Sequence, residues 1–207
     1  MSNIGRRPLR GYLQLLDGPP LGPAAPNVPR AFVFSYNPTE VTHIFLYDNS
    51  ALSAPAHGGP VPISLRLPCE LFFLSVEMDV TDQLEDPNTN WSEANYGLFP
   101  RFAKLQWMAK PQTSATGQVE MPAFAFSWGS NRVAPVRLLN VKITEEAFDP
   151  MLNPIRAKVE MWLKVLEKDE VKTGTQASHI WGIYDNQQLL LADKYLPEVT
   201  GIPGIPK

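Results

Sequence analysis

Three histidines, one cysteine and several carboxylates are the side chains of this sequence best suited to catalysis. His57-Gly58-Gly59 has the composition of an oxyanion loop, but the G-x-S-x-G nucleophile elbow that such a loop serves is absent. Cys69 lies in an apolar segment, which favours a core thiol over a reactive nucleophile. Glu145-Glu146 lies beside a turn, where we expect it to face water or a neighbour's basic residue rather than act as an acid–base pair.

Metal and nucleotide sites need ligands or glycines at fixed spacings, and this sequence lacks them. The histidines, His43, His57 and His179, form no H-x-x-x-H pair, so the sequence does not predict a set of zinc ligands. Neither a P-loop nor a dinucleotide fingerprint occurs. We therefore predict a protein that is not an enzyme and holds no cofactor or metal. A further group of carboxylates lacks the spacing and central glycine of a calcium loop, and a solvated loop is expected there: Glu77, Asp79, Asp82, Glu85 and Asp86.

Composition narrows the class of protein. The chain has 207 residues, a formal net charge of -3 and 19% charged residues, so it shows neither a nucleic-acid footprint nor an acidic tail. No stretch approaches the roughly 20 apolar residues of a membrane span, and no secretory signal is apparent. We expect a chain that is made and assembled in the cytoplasm, binds no nucleic acid and does not span a membrane.

The residues 155–166 alternate between apolar and mostly charged side chains with a period of two. This alternation is typical of a half-buried β-strand. The stretch 136–144 alternates similarly, and Asp-Pro and Asn-Pro lie between the two stretches. We predict two long antiparallel strands joined by a wide loop over 145–154. One face of the second strand is expected to pack into the core: Ile155, Ala157, Val159, Met161, Leu163 and Val165.

Other apolar runs are short and closed by turn residues, so most of the chain is predicted to be strand. A helix is predicted over Phe99–Ala109, with Pro100 in its first turn, and a second over 178–195. The polar stretch 79–93 is predicted to be a loop. The fold class is mainly β, an antiparallel sandwich or barrel with one packed helix and a C-terminal helical extension. The predicted strands lie at 11–16, 31–36, 42–47, 63–67, 69–80 and 123–128.

Four segments occur in a distinctive order along the chain. The first is Phe32-Val33-Phe34-Ser35-Tyr36-Asn37-Pro38-Thr39-Glu40. The others are Leu71-Phe72-Phe73, Phe126-Ser127-Trp128-Gly129, and 141–165 with Phe148 and Pro154-Ile155-Arg156-Ala157. In this order they resemble the tube and tube-adaptor proteins of contractile injection systems, which are phage tail-like particles. The resemblance covers about residues 31–167.

This resemblance implies a β-barrel of the tail-tube type and a structural role. Relatives form six-fold rings where the inner tube joins the baseplate spike. The implied partners are further copies of the chain, the inner tube protein, the spike or hub protein and other baseplate proteins. Many relatives carry a C-terminal LysM module for glycan contact, but residues 168–207 are too short for one, so glycan binding is not implied.

Three regions are expected: an N-terminal arm (1–30), a tube-like β-barrel domain (31–167), and a C-terminal helix with a proline-rich tail (168–207). The polar face of the last long strand is expected to line a wet, modestly basic lumen of the ring, through Arg156, Lys158, Glu160 and Lys164. The C-terminal helix follows a polar linker, and we expect a partner-contacting arm there, through Ile180, Ile183, Tyr184, Leu190 and Leu191.

Two alternatives remain open. The chain could be a stacking subunit of the inner tube itself, although its N-terminal arm and C-terminal helix add surface that favours an adaptor with two unlike faces. From a different class, it could be a monomeric carbohydrate-binding β-sandwich. In that case the exposed aromatic side chains of Trp91, Trp107 and Trp181 would form the sugar platform.

Overall fold

The computed structural model describes residues 9–16, 30–47, 69–113 and 119–195. The His57 loop, the strand expected at 63–67 and the tail 196–207 lie outside these residues. The strands are β1 (Tyr12–Leu15), β2 (Ala31–Val33), β3 (Val41–Leu46), β4 (Cys69–Asp79), β5 (Gln112–Thr113), β6 (Val119–Glu120), β7 (Ala123–Ser127), β8 (Val133–Phe148) and β9 (Pro154–Val165). The helices are α1 (Thr81–Leu84), α2 (Trp91–Tyr96), α3 (Phe99–Ala109) and α4 (Gln176–Asp193).

Seven strands form one antiparallel sheet in the order β2-β1-β7-β8-β9-β4-β3, and β5 pairs with β6 separately. The predicted mainly β fold, with a packed helix and a C-terminal helix, is therefore confirmed. The sheet is strongly curled. Strands β4 and β7 are three places apart, about 14 Å in a flat sheet at roughly 4.8 Å per strand. The ring centroids of Phe72 on β4 and Phe126 on β7 nevertheless lie only 5.3 Å apart.

The inner face of the curled sheet carries the core, and α3 packs against it. Helix α3 has the predicted bounds, and it buries Phe102, Leu105 and Met108. Ala109, the last residue of the helix, is only partly buried. The apolar side chains of β9 face this core as predicted, and Val159, Met161 and Leu163 are fully buried in it.

The long hairpin is tighter than expected. The wide loop predicted over 145–154 is wrong, because residues 145–148 continue β8 and pair with the start of β9. Only 149–153 forms the connection. The Asp149 carboxylate closes it by accepting backbone hydrogen bonds from Met151 and Asn153, each 2.8 Å long. One aspartate side chain thus accepts the hydrogen bonds of two backbone amides inside the turn.

The stretch 79–93 is not a simple loop as predicted, since it contains α1 and the start of α2. The Asp79 side chain accepts a 2.8 Å hydrogen bond from the backbone amide of Thr81, the first residue of α1. Helix α2 ends at Gly97, whose φ of +56° is in the region that favours glycine. A Cβ on Gly97 would lie 2.3 Å from the carbonyl oxygen of Pro154, so this glycine lets α2 and α3 pack against the start of β9.

The region 1–30 is not wholly an arm. Strand β1 lies inside the sheet, between β2 and β7. Leu13 is fully buried, and Leu15 and Leu16 are nearly so. The described part of the predicted arm, 9–16, therefore belongs to the folded domain.

Candidate functional site

The polar face of the long hairpin is the outer surface of three neighbouring strands, β8, β9 and β4. The strand β9 alternates as predicted, so Arg156, Lys158, Glu160 and Lys164 share this outer surface while their neighbours in sequence face the core. We call it the hairpin face. Arg156 is exposed and the other three are half-buried. None of the four is covered by α3, which packs on the opposite side of the sheet.

Three of these four side chains form ion pairs with neighbouring elements. Arg156 Nη2 lies 2.8 Å from Asp79 Oδ2 on β4. Glu160 Oε2 accepts a 2.7 Å hydrogen bond from Lys142 Nζ on β8. Lys164 Nζ donates at 2.7 Å to Glu170, which also lies 3.7 Å from Arg137.

Of the three cations that β9 contributes to the hairpin face, Lys158 forms no ion pair with a described residue. In the sheet register it lies opposite Glu77 on β4 and Thr144 on β8. The hydrogen bond from Lys142 holds the pKa of Glu160 below its ordinary value, and the nearby charge of Lys158 adds a smaller effect in the same direction.

Burial acts to raise the pKa of Asp79, but hydrogen bonds from Thr81 and the ion pair with Arg156 outweigh it. The pKa of Asp79 is consequently lowered, and that of Arg156 is raised by the same contact. Both partners stay charged at neutral pH.

The hairpin face is balanced in charge rather than basic. β9 alone presents three cations and one carboxylate, as its sequence shows, but the neighbouring elements add mostly carboxylates. The basic character expected from β9 therefore does not extend over the surface. The cations are Arg137, Lys142, Arg156, Lys158 and Lys164, and the carboxylates beside them are Glu77, Asp79, Glu146, Glu160 and Glu170.

An aromatic pair interrupts the charged rows. Phe73 on β4 and Trp162 on β9 are directly paired in register, and their ring centroids lie 4.7 Å apart. Cross-strand aromatic pairs stabilise a sheet by up to about 1 kcal/mol. The pair fixes the register of the two strands at the middle of the face, and the sequence analysis did not single it out.

Three stretches of the sheet lack a strand partner on one side among the described residues. Strand β2 pairs with β1 alone. Strand β7 pairs only with Val133–Arg137 of β8, so residues 138–148 have β9 on one side and no described strand on the other. Strand β3 pairs with β4 alone. Its end carries exposed apolar side chains, Phe45, Leu46 and Tyr47. Unpaired edges of this kind are templates for pairing with another chain.

Helix α4 is joined to the domain, contrary to the expectation of a separate arm. Tyr184 is 6% exposed and belongs to the main core cluster. Its hydroxyl donates a hydrogen bond to Glu70 on β4. Gln187 Nε2 donates at 2.7 Å to the carbonyl of Ser130, in the turn between β7 and β8. The helix thus bridges the two sides of the curled sheet.

The predicted arm residues therefore divide into two groups. Tyr184 and, in part, Ile180 pack against the chain's own strands. Ile183, Leu190 and Leu191 are exposed and therefore remain accessible to a partner. Leu189, which the sequence analysis did not name, is more exposed than any of them.

The hairpin tip is a second apolar surface that sequence reasoning missed. Phe148, Met151 and Leu152 are exposed at the tip. The nearby α2 exposes Trp91 and Tyr96, and it is tied to the tip by a hydrogen bond from Asn153 to the carbonyl of Asn95. The apolar pair Met151-Leu152, which lies between two turn-forming prolines, could have predicted this exposed apolar surface from the sequence.

The residues considered for chemistry are placed in separate surroundings. Cys69 is half-buried, His43 contacts Glu70 at 2.7 Å, and His179 lies near the start of α4. Within the described ranges no three His, Cys, Asp or Glu side chains are placed to hold a metal ion. The described helices include none that is long and apolar enough to cross a membrane.

The three tryptophans of the sugar-platform alternative lie on three different helices. Trp91 packs edge-on against Tyr96, with ring centroids 5.6 Å apart. Trp107 is partly buried against the core. Trp181 on α4 lies beside Lys168 and Tyr184 instead. Each ring has its own protein neighbours.

The sequence matches no protein-family model and no curated protein.

Proposed function

We propose that this chain is a structural subunit of a contractile injection system, and that it forms a hexameric ring joining the inner tube to the baseplate spike. The four ordered segments that resemble tube and tube-adaptor proteins support this proposal. The mainly β fold with α3 packed inside the curled sheet agrees with the fold that the resemblance implies.

The observation that carries the ring is the position of two of these open edges, β3 and the outer part of β8. Strands β3, β4, β9 and the outer part of β8 form a four-stranded unit with an unpaired edge on each side. The open part of β8, at about 3.3 Å per residue, is roughly 35 Å long. A subunit with two different open edges joins head to tail, and such contacts form a ring when the rotation closes.

The two open edges are also staggered. Strand β3 pairs with Cys69–Leu74, the part of β4 nearest the base of the hairpin, whereas the open edge of β8 extends to its tip. Joining β3 of one subunit to β8 of the next therefore displaces the strands along their length. Closed barrels require this stagger, because their strands tilt relative to the barrel axis.

In such a ring the hairpin face lines the lumen. Most of its charges are paired within the subunit, and water in the channel can solvate the others, including Lys158. The apolar face of the same strands is already occupied by the subunit's own core. Because side chains alternate between the two faces of these strands, the polar face is the one that can face water.

The two ends of the subunit differ, which favours an adaptor over a tube subunit that stacks on copies of itself. The tip end presents Phe148, Met151 and Leu152 beside α2. The base end presents α4 with exposed leucines at 189–191. Unlike ends fit unlike neighbours, the inner tube protein on one side and the spike or hub protein on the other.

Light scattering and electron microscopy of the purified full chain test the ring. We expect six-membered rings for the parent. The double variant Leu46→Lys/Tyr47→Lys should fold but remain monomeric, because lysines on an edge strand oppose pairing with another chain. Both side chains are exposed in the subunit, so its own core is not altered.

The matched control is Leu189→Lys/Leu190→Lys, which places two lysines at exposed leucines of α4 rather than on an edge strand. This variant should still form rings. A parent that stays monomeric at every concentration, or an edge variant that assembles like the control, would contradict the proposal. Rings that stack into long tubes without a partner would favour the inner tube subunit instead.

A further inference from the structure

A pocket of about 200 Å³ lies between α4 and the ends of β3, β4 and β9. This volume is smaller than the roughly 300–1,000 Å³ of sites for drug-sized ligands. It suits one side chain of a partner better than a whole small molecule. Its walls are formed by Phe45, Glu70, Val165, Leu166, Glu167, Trp181, Tyr184, Asp185 and Gln188.

The lining is acidic, and its described residues include no cation. Three carboxylates border it: Glu70, Glu167 and Asp185. Glu70 already accepts hydrogen bonds from Tyr184 and His43. The side chains of Glu167 and Asp185 make no ion pair with any described residue, so they remain available to a positively charged group.

The apolar part of the lining is aromatic. Trp181, Phe45 and Tyr184 contribute rings, and Tyr184 stays a neutral donor because burial and the contact with Glu70 raise its pKa. The ammonium of Lys168 lies 5.8 Å from the centroid of the Trp181 ring. Trp181 therefore takes part in a cation–π contact with Lys168, which is not among the described residues that line the pocket.

We propose that this pocket binds the guanidinium group of an arginine side chain presented by a partner protein. Guanidinium is planar, so it stacks on an aromatic ring while its N–H groups donate to carboxylates in two directions. A lysine ammonium is compact and more strongly hydrated, and it uses such a site less well. Complementary charge and aromatic walls together select arginine. The pocket lies at the base end of the subunit and does not depend on the ring.

The test uses Nα-acetyl-arginine amide as the probe and the tryptophan fluorescence of the full-length chain as the signal. We expect a saturable change with the arginine probe. Nα-acetyl-citrulline amide has nearly the same shape without the charge and should bind on the order of tenfold more weakly, as expected for loss of charge-assisted hydrogen bonds. Nα-acetyl-lysine amide should also bind more weakly.

Asp185→Asn should weaken arginine binding by a similar factor, since it removes the charge of an exposed carboxylate in the lining. Asp193→Asn is the matched control, an exposed aspartate farther along α4 and outside the lining, and it should bind like the parent. Thermal melting of each variant verifies that it is folded. The proposal is overturned by equal binding of citrulline or lysine, by a signal that does not saturate, or by an Asp185→Asn variant that binds like the Asp193→Asn control.

Discussion

The hydroxyl of Tyr184 donates a hydrogen bond to Glu70, a residue 114 positions earlier in the chain. This contact joins α4 to β4, and Gln187 joins the same helix to the turn at Ser130 on the other side of the curled sheet. We infer that α4 holds the two sides of the sheet together at its base. A chain that ends after Glu167 should therefore lose stability.

Tyr184→Phe should lower the free energy of unfolding by about 1 kcal/mol, the usual net value of one hydrogen bond. The ring stays and only the hydroxyl is removed, so the loss reports the contact with Glu70. Urea denaturation measures it. Tyr195→Phe is the control, because Tyr195 is an exposed tyrosine just beyond the same helix and should show no change. Equal stabilities of the two variants would mean that the hydrogen bond does not secure the helix.

The strand β9 could be predicted from sequence because residues 155–166 alternate with a period of two, and burial follows the same period from Arg156 to Val165 in the structure. Only part of strand β8 could be predicted from the sequence. Its register with β9 shifts near Leu139 and Glu146, so the alternation slips and residues 145–148 looked like loop. The tight turn depended on Asp149 accepting hydrogen bonds from its own loop, which composition alone does not reveal.

The polar face of β9 was predictable, but its electrostatics were not. The partners Asp79, Lys142 and Glu170 come from three other segments, and only the long-range register places them beside Arg156, Glu160 and Lys164. The burial of Tyr184 escaped prediction for the same reason. A helical pattern shows which side chains are apolar, yet not which of them meet the chain's own sheet.

Gly97→Ala should lower the free energy of unfolding by more than about 2 kcal/mol, the scale of a residue forced into a strained backbone conformation. Its Cβ would overlap the Pro154 carbonyl oxygen at 2.3 Å, and φ is +56°. Gly182→Ala provides the comparison, since Gly182 is inside α4 and a Cβ added there would meet nothing within 4 Å. That change should stabilise the protein by up to about 1 kcal/mol. Denaturation curves of both variants decide whether α2 and β9 meet as closely as described.

Val159 and Lys158 are neighbours on β9 with opposite surroundings. Val159 is 0% exposed, so Val159→Asp places a charge in the core without a partner and should cost several kcal/mol. Lys158→Ala should change the stability of the subunit by only about 0.5 kcal/mol, as surface substitutions usually do. Melting curves compare the two directly. If Val159→Asp melted like the parent, the assignment of the two faces of β9 would be reversed.

The ion pair between Asp79 and Arg156 should make stability depend on pH in acid. The pKa of Asp79 is lowered in the folded protein, so the unfolded chain, with an ordinary value of about 3.9, binds the proton more readily. The contribution of this carboxylate is therefore complete above about pH 4 and is lost as the pH falls through the folded pKa. Urea midpoints measured from neutral pH downward should converge for the parent and Asp79→Asn.

Asn at position 79 keeps an oxygen that can accept the hydrogen bond from Thr81, so the difference between parent and Asp79→Asn reports the charge that faces Arg156. Asp82→Asn serves as the control, because Asp82 is an exposed carboxylate on the adjacent α1 and has no ion pair among the described residues. Its stability should follow that of the parent at every pH. A constant gap between parent and Asp79→Asn down to the lowest pH would show that the carboxylate acts only through shape and hydrogen bonding. A gap that closes below about pH 4 assigns the effect to the ion pair across β4 and β9.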